Sequence, residues 1–138
     1  MDNSCLTIGT HLKSSKCWYT VIKVLGQGGF GITYLVEAQT MVNNAPATKY
    51  LALKEHFISS LCSRDPRSQR VISSQPVSNE VARSLRAFIV EAQRLKTLGI
   101  QHPNIVKVED VFEENGTAYY AMEYLNGGSL AQYVQTNG

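Results

Sequence analysis

Apolar residues along this chain recur with two different periods, and the switch between them divides it. Residues 18–25 read WYTVIKVL, rich in aromatic and β-branched side chains, and predict a strand. Residues 32–37, ITYLVE, predict a second. Between them lies a glycine cluster, Gly26, Gly28, Gly29 and Gly31, short enough to make the pair an antiparallel hairpin. Residues 39–48, with Asn43, Asn44 and Pro46, read as a connecting loop, and residues 50–58 as a third strand. Residues 59–77 hold two prolines with several serines and arginines and read as an irregular insertion. From Ser78 or Asn79 the period lengthens. Leu85, Phe88, Ala92 and Leu95, with Ile89 beside them, form one apolar stripe on a helix that is expected to stop near Leu98 at Gly99.

His102, Pro103 and Asn104 then break the chain ahead of a strand over residues 105–112. Asn115-Gly116 predicts a tight hairpin turn, because both residues tolerate positive φ, and residues 117–124 return as a strand. Asn126, Gly127 and Gly128 form a loop, and Ser129 caps a short helix over residues 130–135. The expected fold class is α+β: a five-stranded antiparallel sheet with one main helix and the start of another. Residues 1–16 show little pattern and read as a leader.

Composition narrows the function classes. With 138 residues and 43% hydrophobic side chains the chain can build one core. A formal net charge of +2, dispersed along the sequence, does not suit a nucleic-acid partner. No stretch has the length and apolarity of a membrane span, and the polar N-terminus lacks the apolar core of a secretory signal. Cys5, Cys17 and Cys62 are odd in number and without paired spacing, which argues against a disulfide framework or a metal site and for reduced thiols in the cytoplasm.

The candidate chemistry lies in three places. Gly26-x-Gly28-x-x-Gly31 is a weak signal until its context is added. A β-branched, alternating segment follows it, so the glycines join two strands rather than open a helix, which argues against a dinucleotide-binding fold. Backbone N–H groups of such a loop can approach phosphate oxygens with no Cβ in the way. Lys54 shares a strand face with Ala52, which suits a planar base beside its phosphates; the plainer reading is a solvated strand lysine. Glu91 lies at or beside the packed helix stripe, where a carboxylate needs a partner such as Lys54, unless it sits at the stripe's edge facing water.

Taken in order, these pieces resemble the signature of protein kinases. The likeness continues through His102-Pro103-Asn104-Ile105-Val106 and through Tyr120-Ala121-Met122-Glu123-Tyr124-Leu125-Asn126-Gly127-Gly128-Ser129-Leu130. Wording such as GQGGFGITYL and ALKEHF is similar to bacterial-type, eukaryotic-like serine/threonine kinases. The resemblance covers residues 17–135 and implies a kinase N-terminal lobe over residues 17–138, through the hinge and into the next helix, with ATP as cofactor and a protein substrate.

It also implies roles. Gly26, Gly28 and Gly31 would cover the ATP phosphates, with Phe30 at the tip. Lys54 would hold the α- and β-phosphates and pair with Glu91. Leu25, Thr33 and Ala52 would line the adenine, Met122 would be the gatekeeper, the backbone of Glu123 and Leu125 would bond the adenine edge, and Ser129 would lie near the ribose. Thr33 stands where the family usually has Val. Within residues 1–138 there is no HRD or DFG motif, so the catalytic base and magnesium ligands belong to a C-terminal lobe that this sequence does not contain. The chain alone is therefore expected not to transfer phosphate. The alternative is a non-catalytic kinase-like regulatory or binding module that docks on a partner such as an intact kinase. Asp110 is expected to be a surface or turn-proximal carboxylate, and the insertion, with Arg64, Arg67 and Arg70, to be a solvated surface segment or else a regulatory or docking one.

Overall fold

The computed structural model describes residues 4–101 and 107–124. Eight strands and one long helix follow in chain order: β1 (His11–Lys13), β2 (Trp18–Gln27), β3 (Gly31–Val42), β4 (Ala45–His56), β5 (Cys62–Arg64), β6 (Val71–Ser73), a 3-10 turn at Gln75–Val77, α1 (Ser78–Gln101), β7 (Val108–Glu114) and β8 (Thr117–Glu123). The main sheet is antiparallel, in the order β1-β2-β3-β4-β8-β7. α1 lies against β7 and β8. The α+β class is as expected, but the sheet has six strands rather than five.

The sixth strand comes from the segment read as a leader. β1 pairs with β2, and Leu6 and Leu12 are buried in the core. No periodicity announced this, because a three-residue strand is too short to display one. The expected loop over residues 39–48 is also absent. β3 and β4 run on as one long hairpin that turns at Asn43 and Asn44, whose φ values are 53° and 65°. Two successive residues in the left-handed region make the two-residue turn that matches strand twist, and asparagine tolerates it. The second such turn falls where expected, at Asn115 (φ 57°) and Gly116 (φ 71°). α1 continues through Gly99 instead of stopping there, and the insertion carries the small β5–β6 hairpin.

Each face of the sheet has its own core. On the outer face Tyr19, Val21, Tyr34, Val36, Leu53, Tyr119 and Ala121 pack under Leu6 and Leu12, with the half-buried Cys5, Cys17 and Cys62, none of them in a disulfide, at its margin. Stacked rings of Tyr19, Phe112 and Tyr119, with centroids 5.4 and 5.2 Å apart, run across this face. On the helix face Ala52, Val108 and Met122 pack with Leu25, Leu95, Val111, Tyr120 and Tyr124. Of the helix stripe only Ala92 is fully buried; Leu85, Phe88, Ile89 and Leu95 are half covered.

Two buried carboxylates hold the outer core, and they overturn the readings of Asp110 and of the insertion arginine Arg64. Asp110 is 4% exposed, not a surface group; it accepts hydrogen bonds from the Ser14 hydroxyl (2.5 Å) and the Tyr19 hydroxyl (2.6 Å). A bulge between Val108 and Asp110 separates their faces, so that Val108 joins the helix side and Asp110 the outer side. Glu55 is fully buried and is met by Arg64, an insertion arginine that is likewise buried. Burial, and then the adjoining carboxylates, raise the pKa of Tyr19, Tyr34 and Tyr119, which keeps all three phenols as donors.

If the N-terminal segment belongs to the core, Leu12→Ala should lower stability by about 2–4 kcal/mol. A urea midpoint unchanged by that substitution would show the segment to be dispensable.

Candidate functional site

The glycine hairpin is shaped by the strand that leads into it. β2 is irregular between Val21 and Lys23 and again between Val24 and Gly26. Strict alternation would put Val21 and Leu25 on one face. The bulges undo that: Val21 stays in the outer core, while Leu25 joins Ala52 and Met122 on the helix side. Three of the residues expected around an adenine are thereby gathered in one apolar cluster. Ala52 is fully buried and pairs across the sheet with Leu35 and Met122, the latter 7% exposed.

Register also brings Lys54 under the glycines. Lys54 lies opposite Thr33 on one side and Tyr120 on the other, and Thr33 in turn lies opposite Gly26. Thr33 is buried. A Cβ placed on Gly31 would sit 3.3 Å from the Lys54 Cε and 2.9 Å from the Glu55 carbonyl oxygen. Gly31 is therefore a packing requirement, as no real Cβ sits that close to backbone. Gly26, Gly28 and Gly29 differ: a Cβ on any of them would meet nothing within 4 Å, and none has a positive φ. Inside the loop the Gly28 N–H donates to the Gly31 carbonyl at 2.9 Å. The tip is tied to the chain beyond β4, where the Phe57 N–H holds the Phe30 carbonyl (3.2 Å) and the Ser59 N–H holds that of Gly29 (3.0 Å). Phe30 itself is 75% exposed.

Glu91 is the site residue that the structure places elsewhere. Its carboxylate is exposed and bound by Arg94 through Nη2 (2.7 Å) and Nε (3.1 Å). The hydrogen bonds from Arg94 lower its pKa. Among the described residues the ion pairs are Lys49–Glu109, Arg64–Glu55 and Arg94–Glu91; the expected Lys54–Glu91 pair is not formed. The reason is the roll of α1. Ala92, Phe88 and Leu95 face the sheet, which leaves Glu91 at the stripe's edge, within reach of an arginine one turn along.

α1 is docked by His56, two residues past Lys54. His56 is 3% exposed, its Nε2 lies 2.8 Å from the Ser84 hydroxyl, and its ring meets Phe88 edge-on at 5.4 Å. Burial lowers its pKa. Sequence reasoning passed over this residue, since nothing local marks a histidine as buried. At the far end of β8 the Glu123 N–H donates to the Lys107 carbonyl at 3.0 Å, so a bond from Glu123 to a base edge would come from its carbonyl. Leu125 and Ser129 lie outside the described residues.

A curled antiparallel sheet with one helix against its β8–β7 end, and a glycine hairpin closing over a strand lysine, is the architecture of a kinase N-terminal portion. Comparison with known proteins agrees. The family described as protein kinase domain matches residues 19–138, and the chain belongs to that family. A serine/threonine-protein kinase of Caenorhabditis elegans is 30% identical over 118 residues, which cover 86% of this chain and 10% of the relative. The serine/threonine-protein kinase PrkC of Bacillus subtilis is 30% identical over 120 residues, 87% of this chain and 14% of that protein. Among solved structures, the apo form of PpkA-294 matches with a TM-score of 0.74 and 25% identity, over 98% of this chain and 43% of that one. The chain thus spans a small part of the length of its curated relatives.

Two outcomes follow from this geometry. Gly31→Ala should cost about 1–3 kcal/mol through the clash with the Glu55 carbonyl, whereas Gly28→Ala should leave the thermal midpoint unchanged; equal midpoints for the two variants would contradict the packing. His56 has a folded pKa below its unfolded value of about 6.5, so its stabilising contribution is complete above that pH. It is lost as pH falls from there through the folded pKa, because the unfolded chain takes the proton first. His56→Gln should therefore show a smaller loss of urea resistance between neutral and mildly acidic pH than the wild type.

Proposed function

We propose that residues 17–138 are the ATP-binding portion of a serine/threonine protein kinase, which in a complete domain transfers the ATP γ-phosphate to protein hydroxyls. The observation that carries this is the open space above Gly26, Gly28 and Gly29. Neither packing nor backbone conformation requires glycine there, so the close approach of an external group accounts for it. The nearness of Lys54 to Gly31 supports the same reading, since it sets a positive charge beneath the loop.

The bound nucleotide would supply the transferable phosphoryl group. Leu25, Thr33, Ala52 and Met122 would pack the adenine, the backbone of Glu123 and Leu125 would bond its edge, and Ser129 would approach the ribose. The glycine loop, with Phe30 closing its tip, would direct N–H groups at the phosphates, and Lys54 would neutralise them. The family's catalytic base and metal ligands come from motifs that residues 1–138 lack, and the chain by itself is proposed not to turn over. Lys54 and Glu91 pair only after α1 rolls and Glu91 leaves Arg94; that exchange is open to it, as exposed ion pairs are weak. In this reading a kinase C-terminal lobe covers the half-exposed stripe of α1, and the setting is cytoplasmic.

One observation favours a second reading, a non-catalytic module that docks on a partner: Glu91 is engaged by Arg94 rather than Lys54. Nucleotide binding separates the two. Lys54→Met should weaken binding of a fluorescent ATP analogue by about tenfold or more, the weight of one charge-assisted hydrogen bond, while leaving the melting temperature in place. Binding that is undiminished in the folded variant would overturn the ATP assignment.

A further inference from the structure

The N-terminal segment and the insertion after β4 converge on one buried group. The Glu55 carboxylate accepts from the Tyr34 hydroxyl (2.7 Å), the Tyr119 hydroxyl (2.5 Å) and Arg64 Nη2. Two further Arg64 donors go to backbone carbonyls, Nε to Ser4 (2.7 Å) and Nη1 to Gln69 (2.6 Å). The Gln69 side chain in turn accepts from the Thr7 N–H (3.0 Å), and the Leu6 N–H donates to the Tyr34 hydroxyl (3.0 Å). One guanidinium therefore joins the N-terminal segment, the insertion hairpin and β4.

What it holds in place is the back of the candidate site. Glu55 follows Lys54 directly, with its side chain on the opposite face of the strand. Its carbonyl is the atom that packs beneath Gly31. Two and four residues on, the N–H groups of Phe57 and Ser59 hold the carbonyls of Phe30 and Gly29 at the loop tip. The N-terminal segment also reaches the loop itself, where the Cys5 thiol lies 3.6 Å from the Gln27 side-chain oxygen. A displacement of Glu55 is thus passed to Lys54 along the backbone, and to the loop tip along the backbone and through the Phe57 and Ser59 hydrogen bonds.

We propose that Arg64 is a positioning residue for nucleotide binding: through Glu55 it fixes Lys54 and the glycine loop relative to each other. This rests on the ATP-binding reading above. Its chemistry needs the arginine fork, because a lysine ammonium opposite Glu55 cannot also span to Ser4 and Gln69 in one plane.

Two variants of the 138-residue chain test it. Arg64→Lys keeps the charge and loses the fork. Glu55→Gln combined with Arg64→Met removes both charges and leaves none buried unpaired. Both should lower affinity for trinitrophenyl-ATP by about tenfold. In both, amide hydrogen exchange at Phe57 and Ser59 should quicken relative to that at Val36 in the outer core. An unchanged ratio in the folded variants, or equal acceleration at Val36, would overturn the proposal and leave the pair a stability element. A wild-type chain without affinity for the analogue would instead defeat the ATP reading, and the exchange ratio would still decide whether Arg64 holds the loop.

Discussion

A carboxylate with no access to water has to be met from all sides, and Glu55 sets that demand at the centre of this structure. Placing a charge there is costly unless a cation and further donors surround it. Arg64, Tyr34 and Tyr119 do so, drawn from the insertion, β3 and β8. Since Arg64 is itself buried, its own donors recruit Ser4 and Gln69. A short sequence of obligatory hydrogen bonds thus fixes two segments that have little secondary structure of their own. The outer core closes over the same region: Leu6 and Leu12 bury apolar surface that the sheet would otherwise expose.

The two faces of the sheet divide the labour. The outer face holds the larger buried cluster, and it carries the aromatic stack and both buried carboxylates. The helix face is less complete. Its cluster is small, the α1 stripe is half covered, and Glu91 rests on an exposed arginine. Bulges in β2 and β7 make this division possible, because each one changes which side of the sheet the next residue meets. Without them Leu25 would leave the cluster of Ala52 and Met122, and Asp110 would share a face with Val108.

Much of the helix-face site was legible in the chain order. Glycines between two β-branched segments, then a lysine beside an alanine on the next strand, predict a hairpin over a lysine, and strand register delivers it. The asparagine-glycine turn at Asn115 was equally plain, because its chemistry is local. The long β3–β4 hairpin was missed: proline and two asparagines were read as a loop, though two left-handed residues suffice to turn a pair of strands. The Lys54–Glu91 pair was expected from the resemblance, and it depends on the roll of a helix, which no local pattern encodes.

By itself the sequence determined the element types over most of the chain, the family, and the faces of regular strands and helix, because periodicity, turn chemistry and motif order act over a few residues. Tertiary structure alone decided that the leader supplies a strand at His11–Lys13, that Asp110, Glu55 and Arg64 are buried, that His56 docks α1, and that Glu91 turns to Arg94. Each of these is settled by which side chains, dozens of residues apart, are brought to exclude water together. Burial of that kind is a property of packed surfaces, and a linear pattern records only the residues that make them.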